Sequence, residues 1–235
     1  MQQQHVDYGH AGQALQGFLA RPDGDDRRPG ILIAHAWGGR DEFVLDKART
    51  LAGLGYAAFA LDVYGKGVLG SGPEQNSQLM APLLADRALL RDRLTAGLDC
   101  LRAQPGVDTG RIAIMGYCFG GLCALDLARS GADIRGAVSL HGLFVPPGLE
   151  PHPIKARVLA LHGYADPMVP PQQVVDFGRE MSDAGVDWQL HAYGGVLHAF
   201  TVPDANDPKL GTLYDARAAR RSWCALLDFY EEIFA

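Results

Sequence analysis

Short apolar runs alternate with longer segments of helical spacing along most of the chain. The runs are nearly continuous in Val, Ile, Leu and Ala, which is typical of strands buried on both faces of a parallel sheet. After an N-terminal hairpin that ends near residue 20, strands are predicted over 30–35, 56–62, 111–115, 134–140, 156–161 and 187–193. This alternation predicts one α/β domain over residues 1–235, with a single doubly wound, mostly parallel sheet and helices on both faces.

The segments between the predicted strands have the apolar spacing of helices. Helices are predicted over about 42–54, from the end of a glycine-rich loop at 63–76 to just before Pro105, and over about 171–185. In the last segment of the chain, one helical face carries Trp223, Leu226, Leu227, Tyr230 and Phe234. Functional loops are expected at the carboxyl ends of the strands, where a doubly wound sheet places its sites.

The strand at 111–115 ends in the sequence GYCFGG, residues 116–121, and a segment of helical spacing follows. A Gly-x-Cys-x-Gly sequence between a strand and a helix is typical of a nucleophile elbow, with cysteine in place of the usual serine. Glycines flank the nucleophile because a strained turn needs neighbours without a Cβ. The turn places Cys118 at a helix N-terminus, where backbone N–H groups favour a thiolate. The segment therefore predicts a cysteine hydrolase.

Two other interpretations of this segment are a dinucleotide-binding loop and a structural cysteine. Gly116, Gly120 and Gly121 do not have the Gly-x-Gly-x-x-Gly order of a dinucleotide loop. A cysteine buried in a tight turn is the structural alternative, because free cysteine packs like a small apolar side chain. The residues expected beside Cys118 favour the catalytic interpretation.

Two further side chains are expected at the same edge of the sheet as Cys118. Asp166 and His198 each come shortly after one of the last two predicted strands. The chain order of nucleophile, acid and histidine is that of the α/β-hydrolase triad. In such a triad the imidazole removes the thiol proton, and the carboxylate fixes the tautomer of the ring. The alternatives are a turn-capping role for Asp166 and an ordinary loop position for His198.

The composition limits the class of partner. The 235 residues are 48% hydrophobic and 20% charged, with a formal net charge of −6, so neither a nucleic acid nor an anionic membrane is an expected partner. The first residues have neither the basic start nor the apolar core of a signal peptide, which favours a cytoplasmic location. The sequence leaves the oligomeric state open.

The remaining cysteines and histidines do not predict a metal site. The four cysteines, at 100, 118, 123 and 224, show neither Cys-x-x-Cys nor metal-ligand spacing, and three of them lie in predicted helices as expected reduced core residues. His35, His141 and His162 follow predicted strands near one edge of the sheet, but their neighbours lack carboxylates at zinc spacing. We therefore expect no metal and no cofactor.

On these motifs the chain resembles the dienelactone hydrolase family. The likeness lies in residues 116–121, in the Asp166 loop and in the loop His198-Ala199-Phe200, and it extends over nearly the whole chain in length and element order. The resemblance implies an α/β-hydrolase fold with no separate lid domain. It also implies cofactor-independent hydrolysis of esters or lactones by Cys118, Asp166 and His198.

The resemblance further assigns residues around the predicted triad. It implies an oxyanion hole formed by the backbone N–H groups of Phe119 and Trp37. It matches Tyr64 to a pocket tyrosine of the family. Apolar residues in and beside the edge loops predict a small substrate pocket, whose assigned residues are Tyr64, Tyr117, Met168 and Phe200.

Several positions differ from the family pattern. The family glutamate that holds the cysteine proton at rest corresponds to Ala36, and Glu42 lies six residues later at a predicted helix start. The carboxylate-binding arginine corresponds to Val202, and a serine position corresponds to Ala199. In the segment where a second arginine is expected, Lys66 is the single cation. Without these cations a carboxylate-bearing lactone loses its main anchor.

The sequence therefore predicts a hydrolase of small esters or lactones that forms an acyl-cysteine intermediate and is not specific for dienelactone. Acyl transfer or thioester cleavage at the same site is an alternative, because an acyl-enzyme does not dictate its acceptor. A second class is a non-catalytic thiol sensor on the same fold. Asp166 and His198 favour the enzyme, since a sensor needs no oriented base.

Overall fold

The chain forms one large sheet between two layers of helices. The computed structural model describes residues 1–24 and 26–235. Its main strands are β1 Gln2–His10, β2 Gln13–Arg21, β3 Arg28–Ala34, β4 Ala57–Ala60, β5 Val107–Tyr117, β6 Gly136–Leu140, β7 Arg157–Gly163 and β8 Trp188–Tyr193. They lie in the order β1-β2-β4-β3-β5-β6-β7-β8. Strands β3 to β8 are parallel, and β2 pairs antiparallel with both β1 and β4.

Within the described residues, six helices cover the sheet. Their bounds are α1 Glu42–Gly53, α2 Pro73–Ala85, α3 Arg87–Arg102, α4 Phe119–Arg129, α5 Pro171–Asp183 and α6 Ala216–Phe234. Apolar side chains of α1 and α6 pack on one face of the sheet, and those of α2, α3, α4 and α5 pack on the other. The predicted doubly wound, mostly parallel sheet is confirmed.

The single long helix predicted before Pro105 is wrong, because the segment forms two helices. Helix α2 ends at Ala85, and α3 begins at Arg87. Between them, Oδ1 of Asp86 accepts a hydrogen bond from the backbone N–H of Leu89 at 2.9 Å. An aspartate that caps a new helix in this way leaves the helical conformation, and the backbone of Asp86, with φ −121° and ψ 84°, interrupts the helix.

Side chains of β5 alternate between the two faces of the sheet, as in any strand. Ile112 and Ile114 pack on the side of α3 and α4, whereas Met115 and Tyr117 pack on the side of α1 and α6. Strand β5 ends at Tyr117, and Cys118 is the one residue between this strand and the first residue of α4. The centre of the sheet therefore presents Cys118 at its carboxyl edge.

The four cysteines are free thiols in different surroundings. Cys123 is buried, Cys100 and Cys118 are half-buried, and Cys224 is exposed on α6. The expectation that all three helical cysteines belong to the core is therefore wrong for Cys224, because it lies on the outer face of an amphipathic helix. Among the described helices, none has a stretch long and apolar enough to cross a membrane.

Candidate active site

Cys118 occupies a strained turn between β5 and α4. Its backbone has φ 56° and ψ −117°, a region that side chains other than glycine rarely adopt. The Cys118 N–H donates to the carbonyl of Leu140 at 3.0 Å, and the Cys118 carbonyl accepts from Gly121 N–H at 2.9 Å. These bonds fix the turn on neighbouring elements and leave the thiol at the sheet edge.

The glycines of the turn are required by close packing. A Cβ on Gly116 would collide with the backbone of Gly120, and a Cβ on Gly120 would collide with the backbone of Ala34. A Cβ on Gly121 would come within 2.7 Å of Gly142 Cα. The helix N-terminus can therefore approach the strands only because these positions lack side chains.

His198 and Asp166 form a buried pair beside this turn. Nδ1 of His198 lies 2.6 Å from Oδ2 of Asp166, and the side chains are 2% and 0% exposed. The other carboxylate oxygen accepts a hydrogen bond from the backbone N–H of Met168 at 2.8 Å. Both oxygens of Asp166 thus have partners, and the bond to Nδ1 leaves Nε2 of His198 as the free ring nitrogen.

The remaining nitrogen of His198 is coupled to Cys118. Nε2 is buried and has no hydrogen-bond partner of ordinary geometry within the described part of the chain. Burial by itself lowers the pKa of His198, but the negative charge of the Cys118 thiolate and the bond to Asp166 raise that pKa to about 10. The arrangement can therefore hold an imidazolium beside a thiolate and pass a proton between them.

The other three histidines near this edge remain neutral. His35 is satisfied, since its Nδ1 lies 2.7 Å from the Ala36 carbonyl and its Nε2 accepts from Val63 N–H at 3.3 Å. Burial lowers the pKa of His35, His141 and His162. No set of three or more metal-ligating side chains occurs among residues 1–24 and 26–235.

The two predicted oxyanion donors lie on supported backbone. Phe119 is the first residue of α4, so its N–H has no partner within the helix. The Tyr64 hydroxyl donates to the Trp37 carbonyl at 2.9 Å, and Gly70 N–H donates to the Gly38 carbonyl at 2.9 Å. The Tyr64 ring also stacks on Phe119, with centroids 6.0 Å apart. Tyr64 thus contacts both predicted donor residues.

Two of the predicted pocket residues belong to the core instead. Tyr117 is 1% exposed and packs edge to face on Phe43 of α1, because strand alternation turns it to the face of the sheet that α1 covers. Phe200 is fully buried against the rings of His141 and Tyr193. Neither side chain has appreciable exposed surface in this structure, and a contact of either one with a substrate stays a prediction.

The other two predicted pocket residues keep some accessible surface. Tyr64 is 8% exposed, and Met168 is half-buried. Met168 also contacts the predicted triad through its backbone, since its N–H binds Asp166. Any contact of these two side chains with a substrate stays a prediction.

A short hairpin that the sequence did not predict holds the His198 loop. Its strands are β9 Asn206–Asp207 and β10 Thr212–Leu213. His198 N–H donates to the Gly211 carbonyl at 2.9 Å, and Leu213 N–H donates to the His198 carbonyl at 3.1 Å. Gly211 has φ 88°, and a Cβ there would collide with Pro167. The available sequence signal is the pair of turn residues Pro208 and Gly211.

The chain has no free charged side chain at the positions where the family pattern expects a glutamate and two arginines, among the residues that the structure describes. The Glu42 carboxylate is exposed and pairs with Arg49 on α1. The Lys66 ammonium pairs with Asp7 on the surface at 2.7 Å. Val202 is half-buried in the His198 loop, where its N–H donates to the Ala199 carbonyl at 2.9 Å. Lys66 and Glu42 are thus occupied on the protein surface.

A cleft of about 310 Å³ lies elsewhere on the molecule. It is bounded by α3, α4, α5 and the loop 146–154 rather than by the residues around Cys118. Arg87 and Arg129 at its wall are already paired with Asp126 and Glu180. The reactive side chains Cys118, Asp166 and His198 therefore lie outside this cleft, at the carboxyl edge of the sheet.

Solved structures resemble the whole chain closely. The structure called m3DLH has 36% sequence identity and a TM-score of 0.93, covering 100% of this chain and 99% of that one. A dienelactone hydrolase-like promiscuous phosphotriesterase from metagenomic libraries, P91, has 34% identity and a TM-score of 0.92 at the same coverage. The α/β-hydrolase fold expected from the sequence is thus confirmed.

Sequence relatives point the same way. A probable 2-oxo-3-(5-oxofuran-2-ylidene)propanoate lactonase from a Bradyrhizobium species is 29% identical over 213 residues, covering 83% of this chain and 82% of the relative. The sequence profile described as the dienelactone hydrolase family matches residues 15–234. With the match spanning nearly all of the sheet and helices, the chain belongs to the dienelactone hydrolase family.

Proposed function

We propose that this hydrolase cleaves small neutral esters or lactones through an acyl-cysteine intermediate. Cys118 is the nucleophile, His198 the general base and acid, and Asp166 the carboxylate that orients the imidazole. The observation that carries the proposal is the buried His198–Asp166 pair, 2.6 Å apart, whose free Nε2 is coupled to a cysteine on a strained turn.

The first half-reaction makes the acyl-enzyme. The Cys118 thiolate attacks the ester carbonyl carbon, a C–S bond forms, and the carbonyl electron pair moves to oxygen. Backbone N–H groups of Phe119 and Trp37 stabilise this oxyanion. When the intermediate collapses, the C–O bond breaks and the leaving alkoxide takes the proton from Nε2 of His198.

The second half-reaction restores the thiolate. Neutral His198 removes a proton from water, and the resulting hydroxide equivalent attacks the acyl carbon. Collapse breaks the C–S bond and releases the carboxylic acid. Asp166 stabilises the imidazolium in both halves because it accepts the hydrogen bond from Nδ1.

The residues near the His198 loop favour neutral substrates. Val202 occupies the position of the family's arginine, and Lys66 is held by Asp7 on the surface. A buried substrate carboxylate without a cationic partner is costly. We therefore place uncharged esters and lactones ahead of dienelactone, whose carboxylate would lack this partner.

Turnover of p-nitrophenyl butyrate by matched cysteine variants tests the proposal. We expect Cys118→Ala to lose about a thousand-fold or more in kcat, and Cys224→Ala, at an exposed cysteine, to keep wild-type turnover. Mass spectrometry of quenched enzyme should find the acyl group on Cys118. Near-normal turnover by Cys118→Ala would overturn the proposal, and product analysis with an added thiol acceptor separates hydrolysis from acyl transfer.

A second candidate activity is phosphotriester cleavage, favoured by the 34% identity to P91 over the whole chain. The same thiolate would attack phosphorus, an S–P bond would form, and the P–O bond to the aryloxide would break, with His198 able to protonate the leaving group. Water activated by neutral His198 would then attack phosphorus, break the S–P bond and restore the thiolate. An aryl phosphotriester in the same assay, with Cys118→Ala as the control, tests whether both reactions use one nucleophile. Phosphotriester turnover that survives Cys118→Ala would exclude a shared mechanism.

A further inference from the structure

We propose that His141 is a positioning residue that holds the imidazole of His198 in the orientation presenting Nε2 to Cys118. It acts by ring contact with His198 and by a hydrogen bond to Thr201 in the same loop. The inference rests on the roles proposed above for Cys118 and His198.

His141 contacts both the His198 ring and the loop that carries it. It is the first residue after β6 and is 1% exposed. Its ring centroid lies 5.1 Å from that of His198, and the two rings meet edge to face at 66°. Its Nε2 lies 2.7 Å from Oγ1 of Thr201. One side chain thus connects the end of β6 to the ring of His198 and to Thr201, three residues further along the same loop.

The contact of His141 with His198 restrains a tilt of the His198 imidazole that the other contacts of His198 do not prevent. The Gly211 and Leu213 bonds fix the backbone of His198, and Asp166 fixes Nδ1. A single hydrogen bond at Nδ1 still allows the imidazole to tilt about that bond. The His141 ring, in edge-to-face contact with that of His198, opposes this tilt, which would otherwise move Nε2 away from Cys118.

Backbone strain in this structure is concentrated around the same residues. Among the described residues, the non-glycine positions with positive φ are Ala11, Cys118, His141 and Ala199. Ala11 lies in the tight turn between β1 and β2, and the other three lie at the candidate site, with Ala199 directly after His198. Strain of this kind costs free energy and persists where the surrounding structure over-determines it, often at functional sites.

His141 is suited to this role because it stays neutral. Burial, and then the charge on His198, keep the pKa of His141 well below its ordinary range. Facing the pair are Asp166 from the loop after β7, Cys118 from the elbow, His162 from β7 and the buried phenol of Tyr117. A second imidazolium 5.1 Å from His198 would repel it. The neutral ring therefore supports His198 without competing for its proton.

Two variants separate positioning from simple stability. His141→Phe keeps an aromatic ring and removes the hydrogen bond, and Thr201→Val removes the same bond at nearly constant shape. Ser222→Ala, at a buried hydroxyl on α6 that binds the carbonyl of Ala219, is the matched control. Kinetics are measured on p-nitrophenyl butyrate, per active site titrated by the burst, and Cys118 alkylation by iodoacetamide is followed from acidic to alkaline pH.

We expect kcat to fall about 3-fold in both His141→Phe and Thr201→Val, since the two variants lose the same hydrogen bond, with KM within about twofold, because a misplaced base costs rate rather than binding. The alkylation profile should shift toward that of His198→Ala in both variants, and Ser222→Ala should match the wild type. Unchanged kcat and an unchanged alkylation profile in both variants would overturn the proposal, even if their melting temperatures fall. If the wild type hydrolyses no ester, the proposed function fails, and the alkylation profiles still decide whether His141 positions His198.

Discussion

Two buried polar clusters in this molecule differ in how completely their hydrogen bonds are satisfied. In the arginine cluster, Arg87 binds both carboxylate oxygens of Asp126 at 2.7 Å, and Arg129 binds both oxygens of Glu180 at 2.8 and 2.7 Å. Both arginines also donate to carbonyls of the loop after β6. At the candidate site, Nε2 of His198 and Nδ1 of His141 have no partner among the described residues.

The difference separates stability from chemistry. A buried charge network with every group paired stabilises the docking of helices but has no group free to react. A buried nitrogen without a hydrogen-bond partner lowers the free energy of unfolding. We expect this cost at a catalytic site, because a substrate or a transferred proton supplies the missing partner during the reaction. The arginine cluster borders the cleft of about 310 Å³, whereas the unpaired Nε2 of His198 belongs to the ring that is coupled to Cys118.

The largest expected effect comes from breaking the His198–Asp166 pair. Asp166→Asn keeps the side-chain shape, but its amide cannot hold the imidazole in the tautomer that leaves Nε2 free as a base. We expect kcat for p-nitrophenyl butyrate to fall about 10³–10⁴-fold, with little change in the melting temperature. A variant that retains more than about a tenth of wild-type kcat would show that Asp166 does not orient the base.

Breaking the arginine cluster should lower the stability of the protein and leave kcat unchanged. Arg87→Met leaves Asp126, which is 3% exposed, with only a 3.4 Å contact to Arg129. An uncompensated buried carboxylate costs about 3–5 kcal/mol of unfolding free energy, while kcat per titrated active site should stay at the wild-type value. Denaturant unfolding followed by fluorescence measures the first quantity.

The matched control for Arg87→Met is an exposed ion pair. Arg157 contacts Glu232 at 3.0 Å, and the two side chains are 43% and 52% exposed. Arg157→Ala should change the unfolding free energy by less than about 1 kcal/mol. If Arg87→Met lowered kcat per active site about 10-fold, the two clusters would be functionally coupled and the comparison would fail.

The charge preference of the substrate gives a smaller effect. Dienelactone and its methyl ester differ by one negative charge, which makes them a matched pair. Without a cation at Val202, the methyl ester should have a kcat/KM about 10–100-fold higher, the value of one hydrogen bond to a charged group. Val202→Arg should reverse part of this ratio. A wild-type preference for the charged lactone would indicate a cation that we have not identified.

The sequence predicted the parts of the site that depend on local pattern. The GYCFGG elbow lies between a strand and a helix, and parallel strands bring their carboxyl ends to one edge. The sequence alone therefore predicts that Asp166 and His198 lie near Cys118, and the structure brings these three residues together.

Other features depended on contacts that no local pattern encodes. Tyr117 is adjacent to Cys118 in sequence, yet strand alternation buries it on the opposite face of the sheet. The pairing of Gly211 with His198, and that of Thr201 with His141, join segments whose approach is set by the packing of the loops. The division of one predicted helix at Asp86 depended on a cap that competes with helix propagation.

The last effect in this comparison concerns the reactivity of the resting thiol and isolates the coupling between His198 and Cys118. Since the pKa of His198 is raised to about 10, its positive charge is present at neutral pH and is lost as the pH rises through that value. The His198 imidazolium should therefore face Cys118 at pH 6–7, and a neutral imidazole should face it in alkaline solution. We expect His198→Ala to slow alkylation of Cys118 by iodoacetamide about 10-fold at pH 6.5, with the difference disappearing at high pH. N-acetylcysteine gives the profile of an unassisted thiol, and Glu42→Gln tests the carboxylate that lies six residues after the family's glutamate position at Ala36. Because Glu42 pairs with Arg49 on the surface, Glu42→Gln should alkylate like the wild type.

Equal alkylation rates for wild type and His198→Ala at pH 6.5 would show that His198 and Cys118 are not coupled. The unpaired Nε2 of His198 would then not be the feature that distinguishes the candidate site from the arginine cluster.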